Sequence, residues 1–118
     1  VVLTYKNMAY LFFLAIQPAH RSKGYGSLAI EALKNAYPKK ELLVDFEKLD
    51  DHAANNEQRK KRRNFYLRNG YKETGLFVSY MGVDYEVFSM EDKFNYDDFK
   101  ELMKTIRIEG FNPRYFYK

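Results

Sequence analysis

The most informative segment of the chain is a basic turn with two glycines, Gln17-Pro18-Ala19-His20-Arg21-Ser22-Lys23-Gly24-Tyr25-Gly26-Ser27. The apolar run before it, residues 10–16, is too short to cross a membrane and predicts a buried strand. Residues 28–36 after it are rich in helix formers. The first N–H groups of a helix lack intrahelical partners and carry partial positive charge. This strand–turn–helix pattern therefore predicts a phosphate or pyrophosphate site, to which the glycines give close backbone access.

Two familiar phosphate-binding patterns do not fit this turn. The dinucleotide fingerprint needs a third glycine, and the nucleoside-triphosphate loop needs a Lys after its last glycine, whereas Lys23 precedes Gly24. The pattern Arg21-x-x-Gly24-x-Gly26 instead resembles the acetyl-CoA-binding turn of the GNAT superfamily of N-acetyltransferases, Gln/Arg-x-x-Gly-x-Gly/Ala. The resemblance implies a backbone N–H between Leu14 and Ile16 that polarises the thioester carbonyl. It also implies that one set of residues holds the pyrophosphate of acetyl-CoA: Arg21, Ser22, Lys23, Gly24, Tyr25, Gly26 and Ser27.

A second segment, Phe65-Tyr66-x-x-x-Gly70-Tyr71, resembles the other GNAT signature, Phe-Tyr-x-x-x-Gly-Phe/Tyr. The resemblance implies that Tyr66 is the general acid that protonates the departing thiolate. An unperturbed tyrosine hydroxyl has a pKa of about 10, close enough to that of a thiol for proton transfer. Many family members carry Asn and Ala where this chain has Arg59 and Arg62. Whether this chain makes the family's usual side-chain contact with the pantetheine arm of acetyl-CoA is therefore an open question.

Glu47 follows the apolar strand that is predicted over residues 42–46. The acceptor amine must lose a proton if it arrives as ammonium, and a carboxylate can accept that proton through water. Glu47 is therefore our candidate for a general base.

The remaining pattern predicts a hairpin at Lys6-Asn7, a helix from 24 or 25 to 36, and a parallel crossover into the strand over 42–46. A helix capped by Asn55 or Asn56 ends at Gly70, and a hairpin follows around Gly82. We expect a last helix, capped by Asn95 and ended by Gly110, with an apolar stripe through residues 99, 102, 103 and 106. The predicted fold is α/β (α+β): a mixed, mostly antiparallel GNAT-like sheet with a central parallel strand pair and flanking helices.

We expect one domain with two segments. Residues 1–90 form an acetyl-CoA-binding core, and residues 91–118 form a helix and aromatic tail that pack on it. The family's first strand and opening helices have no counterpart in the sequence, so we expect that part of the domain, and half of the acceptor pocket, to be absent.

The composition and net charge exclude several further classes of site and function. The chain has no cysteine, which excludes disulfides, thiol nucleophiles and cysteine-based zinc sites, and its two histidines predict no metal centre. The net charge of +4 is mild and suits an anionic cosubstrate. No apolar run approaches the ~20 residues of a membrane span, so we expect a cytoplasmic protein without membrane association.

These observations favour an N-acetyltransferase that moves the acetyl group of acetyl-CoA to a primary amine of a small molecule or peptide. A non-catalytic GNAT-like protein that binds CoA or a partner is the alternative, with homodimerisation through exposed sheet edges. The basic run over residues 59–63 raises nucleic-acid binding as a third reading. Five consecutive residues spread around a helix, so we interpret the run as a solvated face and expect no nucleic-acid partner.

Overall fold

The computed structural model describes residues 2–11 and 26–117. Within them the chain forms six strands and three helices. In sequence these are β1 (Val2–Tyr5), β2 (Met8–Leu11), α1 (Gly26–Ala36), β3 (Glu41–Glu47), α2 (Asn56–Arg68), β4 (Lys72–Tyr80), β5 (Val83–Ser89), α3 (Tyr96–Lys104) and β6 (Arg114–Tyr117).

The six strands form one sheet in the order β1-β2-β3-β5-β4-β6. The β2–β3 pair is parallel, with α1 in the connection, and the other described pairs are antiparallel. A parallel pair needs a long crossover, and the segment between β2 and β3 supplies one. The predicted fold class, a mostly antiparallel sheet with one central parallel pair and flanking helices, is confirmed.

The sheet contains two tight hairpins. Lys6-Asn7 connects β1 to β2, and Met81-Gly82 connects β4 to β5, as predicted. Met81 and Gly82 both have positive φ, 51° and 81°, as a type I′ turn requires. Gly70, with φ of 93°, follows α2 in the left-handed conformation that the sequence predicts.

Two helix ends differ from the prediction. The Asn95 side chain accepts a hydrogen bond from the Asp98 N–H at 3.0 Å, so the predicted cap of α3 is confirmed. The helix ends at Lys104 rather than near Gly110, because Thr105 bonds back to Leu102 through its N–H and its hydroxyl. Asn55 occupies the N-cap position of α2 but its side chain makes no capping bond, since it binds Arg59 and Glu47 instead.

The helices α2 and α3 cover opposite faces of the sheet. Tyr66 of α2 stacks on Phe46 of β3, and Phe99 of α3 meets Tyr10 of β2 edge to face. Neighbouring residues of a strand point to opposite faces, so β3 presents Phe46 to α2 and Asp45 to the α3 side. Strand β3 is consequently buried on both faces, from Glu41 through Phe46.

The aromatic tail adds the sixth strand. Strand β6 pairs antiparallel with β4, and the Phe116 ring stacks on Phe77 with ring centroids 5.3 Å apart. On the other face Tyr115 lies edge to face with Tyr96 of α3. Among the described residues, no helix combines the length and apolar character that crossing a bilayer would take.

The Gly82 turn offers a test of the hairpin. We expect Gly82→Val to lower the free energy of unfolding by about 1–2 kcal/mol, because a β-branched residue resists positive φ. Gly82→Asn is the matched control and should lower the free energy of unfolding by less, since Asn tolerates positive φ. Urea denaturation of the three proteins measures the difference, and equal losses would contradict the turn geometry.

Candidate active site

The parallel strands β2 and β3 end at one edge of the sheet. Their described pairing runs from Met8 opposite Glu41 to Leu11 opposite Val44. Beyond Val44, β3 continues for three residues that pair with β5. In open α/β sheets, ligands bind outside the carboxyl ends of parallel strands, so this edge is the candidate site.

The predicted pyrophosphate turn leads into α1. Gly26 and Ser27 are the first two residues of α1, and its first turn contains no acidic residue that would oppose an anion. The other predicted contacts lie outside the described residues: Leu14, Ile16, Arg21, Ser22, Lys23, Gly24 and Tyr25.

Tyr66 lies near the C-terminal end of α2 and is packed against the sheet. Only 5% of its surface is exposed. Its ring stacks on Phe46, with centroids 5.3 Å apart and an interplanar angle of 18°, and meets Phe65 and Tyr71 edge to face. Phe46 lies two residues beyond the last described β2–β3 pair, so the Tyr66 ring packs beside the part of β3 that continues past that pairing.

Tyr71 packs behind Tyr66 and is only 2% exposed. Its hydroxyl is buried and has no hydrogen-bond partner among the described residues. Burial, and secondarily the neighbouring Tyr66, raise the pKa of Tyr71 well above its ordinary value. This hydroxyl therefore stays protonated over the whole working pH range. Sequence reasoning assigned it no role.

Glu47 is held by two arginines of α2. Arg59 contacts Oε2 at 2.9 Å and Arg62 contacts Oε1 at 3.3 Å, while the Asn55 amide lies 3.4 Å from Oε1. Arg59 also donates to the carbonyl of Lys48 at 2.8 Å. The two arginines that depart from the family pattern thus dock the start of α2 onto the end of β3.

Arg63 fixes the middle of α2 in a similar way. Its Nε lies 2.9 Å from Oε1 of the buried Glu86, it also pairs with Glu73, and its guanidinium covers the Phe88 ring. The hydrogen bond to Glu86 is the main reason that the pKa of Arg63 is raised. The interpretation of the basic run as a solvated face is therefore wrong for Arg59, Arg62 and Arg63. Their acidic partners are distant in sequence, so helix periodicity could not reveal them.

A second polar cluster, unforeseen from the sequence, lies on the α3 face. The hydroxyls of Tyr10 and Tyr80 both donate to Oδ2 of Asp45, the latter at 2.6 Å, and the ring of Tyr85 stacks on Tyr80. Burial and the Asp45 carboxylate raise the pKa values of both donors, and raise that of Tyr85 to about 12. The cluster satisfies a carboxylate in the core on the face opposite Tyr66.

In the part of the chain that the structure describes, no group of three or more His, Asp or Glu side chains is arranged to hold a metal ion. His52 lies in the exposed loop before α2, where its backbone N–H donates a hydrogen bond to the Asp50 carboxylate. His20 lies outside the described residues.

Comparison with protein families agrees with this arrangement. The family profile of the acetyltransferase (GNAT) domain matches residues 1–73, a segment that contains both signature motifs. The chain therefore belongs to the GNAT acetyltransferase domain family, and its function is of the acetyltransferase type. No significant match to this chain was found among curated proteins or among solved structures.

The contribution of the Glu47 contacts with Arg59 and Arg62 can be tested by measuring the stability of variants. Glu47→Gln removes the carboxylate charge that pairs with the mostly buried Arg59 and Arg62, so we expect the free energy of unfolding to fall by about 1–2 kcal/mol. Glu57→Gln is the control, because Glu57 pairs with Lys60 on the exposed surface, where such pairs contribute little. Equal losses in urea denaturation would show that Glu47 does not anchor α2.

Proposed function

We propose that this chain transfers the acetyl group of acetyl-CoA directly to a primary amine of a small molecule or peptide, with Tyr66 as general acid. The observation that carries the proposal is the position of Tyr66. It lies in the family-matched segment, and its ring stacks on Phe46, two residues beyond the last described pair of β2 and β3.

The cosubstrate would be held by the turn before α1. The backbone N–H groups of residues 23–27, together with the charges of Arg21 and Lys23, suit a pyrophosphate. Gly26 and Ser27 begin α1, whose N-terminal partial charge is unopposed by acidic residues of its first turn. A backbone N–H between Leu14 and Ile16 would polarise the thioester carbonyl.

In the proposed reaction, Tyr66 carries out one proton transfer. The amine nitrogen forms a bond to the acyl carbon, the carbon–sulfur bond breaks, and its electron pair goes to sulfur. The Tyr66 hydroxyl then gives its proton to the thiolate. We keep Glu47 as the base that accepts the amine proton through water, since its carboxylate lies at the end of β3. A direct contact with the amine would have to displace Arg59 or Arg62.

The alternative functions differ in how well the structure supports them. A non-catalytic protein that binds CoA is compatible with the same turn and fold. Homodimerisation would use β1 or β6, which are the edge strands of the described sheet. Nucleic-acid binding through residues 59–63 is disfavoured, because Arg59, Arg62 and Arg63 bind carboxylates of the domain itself.

The cofactor site is tested by titration calorimetry with acetyl-CoA. We expect the wild-type chain to bind with a Kd on the order of micromolar. Arg21→Ala combined with Gly24→Val should abolish binding, because a guanidinium is lost and a side chain blocks the backbone. Arg107→Ala changes an exposed arginine outside the site and is the control. Absence of binding to the wild-type chain would reject the acetyltransferase proposal for this chain.

The general acid is tested by Tyr66→Phe. We expect kcat for thiol release to fall by about 10²–10⁴-fold while acetyl-CoA affinity stays unchanged, since only the proton donor is removed. Tyr115→Phe, on the opposite face, is the control. Binding of acetyl-CoA by the wild-type chain without thiol release for any amine in a library would favour the non-catalytic alternative.

A further inference from the structure

The Tyr71 hydroxyl is the single buried side-chain polar atom without a hydrogen-bond partner among the described residues. Leaving a buried donor unsatisfied is unfavourable, and a phenylalanine at this position would fill the same space without that cost. Buried polar groups in native proteins are nearly always satisfied, so an exception calls for an explanation.

Tyr71 is tied to Tyr66 in two ways. Its backbone N–H donates to the carbonyl oxygen of Tyr66 at 3.1 Å, through the turn that Gly70 makes with positive φ. Its ring meets the Tyr66 ring edge to face, with centroids 5.4 Å apart and an interplanar angle of 83°. The two phenols are therefore brought together in one part of the core, and Tyr66 is the group that the proposed reaction ionises.

The protonation states of the two groups are complementary. Tyr71 is buried, which raises its pKa, and a negative charge on Tyr66 raises it further. Tyr71 thus keeps its proton when Tyr66 loses one. A neutral hydroxyl beside a new phenolate is a hydrogen-bond donor, and hydrogen bonds to charged acceptors are stronger than those between neutral groups.

We propose that Tyr71 is a positioning residue whose hydroxyl donates a hydrogen bond to the Tyr66 oxygen when Tyr66 has given its proton to the thiolate. This inference rests on the proposed function. No proton leaves Tyr71: the Tyr66 proton moves to sulfur, and the Tyr71 O–H stabilises the charge left on Tyr66.

The kinetic test compares Tyr71→Phe, Tyr66→Phe and the double variant with the wild-type chain. We expect Tyr71→Phe to lower kcat about tenfold or more with KM unchanged. The loss of rate at high pH should move upward by about one pH unit, because an unassisted Tyr66 ionises less readily. In the Tyr66→Phe background the second substitution should have no further effect, since its target is gone.

Tyr115→Phe is the matched control, because Tyr115 is a partly buried tyrosine whose pKa is likewise raised, to about 12, but it lies on the α3 face. Its kcat and pH profile should equal those of the wild-type chain. Urea denaturation should show that Tyr71→Phe is at least as stable as the wild-type chain, because an unsatisfied hydroxyl has been removed. A lower stability would mean that the hydroxyl has a structural partner, and it would overturn the proposal.

A readout that does not need turnover separates this inference from the proposed function. Tyrosine labelled with ¹³C at Cζ reports ionisation by NMR, and the Tyr66 signal is assigned from its absence in Tyr66→Phe. A higher Tyr66 pKa in Tyr71→Phe supports the inference even where no amine is acetylated. An unchanged Tyr66 pKa overturns it, whether or not Tyr66→Phe abolishes activity.

Discussion

The burial of β3 on both faces of the sheet is the constraint on which the rest of this domain depends. Its residues from Glu41 through Phe46 are withdrawn from solvent, so each face requires a helix to cover it. Phe46 supports α2 and the phenol of Tyr66 on one side. Asp45, with its two tyrosine donors, organises the core beneath α3 on the other. A single strand thus positions the candidate site and the packing behind it.

The docking of α2 combines apolar and ionic contacts. Tyr66 supplies the aromatic contact by stacking on Phe46, while Arg59, Arg62 and Arg63 bind carboxylates of β3, β4 and β5. These arginines stand on a helix that is otherwise strongly polar, so hydrophobic burial alone would hold it weakly. Their position beside the family signature connects the anchoring of the helix with the placement of the proposed acid.

Sequence features that act over a few neighbouring residues predict much of the fold. The two hairpins, the Asn95 cap and the left-handed Gly70 follow from neighbouring residues, and each is present in the structure. The predicted end of α3 was wrong because Thr105 closes the last turn earlier than a glycine signal suggests. The basic run was misread because a surface helix and a helix that pairs with distant carboxylates have the same local pattern.

The sequence by itself determined the family, the order of the elements from β1 to α3, and Tyr66 as the candidate acid, because short motifs and periodicity are local properties of the chain. Only the tertiary structure decided which charges pair and which hydroxyls are satisfied. Glu47 and Glu86 meet α2, Asp45 meets Tyr10 and Tyr80, and Tyr71 is buried beside Tyr66 without a partner among the described residues. Such contacts join residues far apart in sequence, and their chemistry depends on burial, which no local pattern encodes.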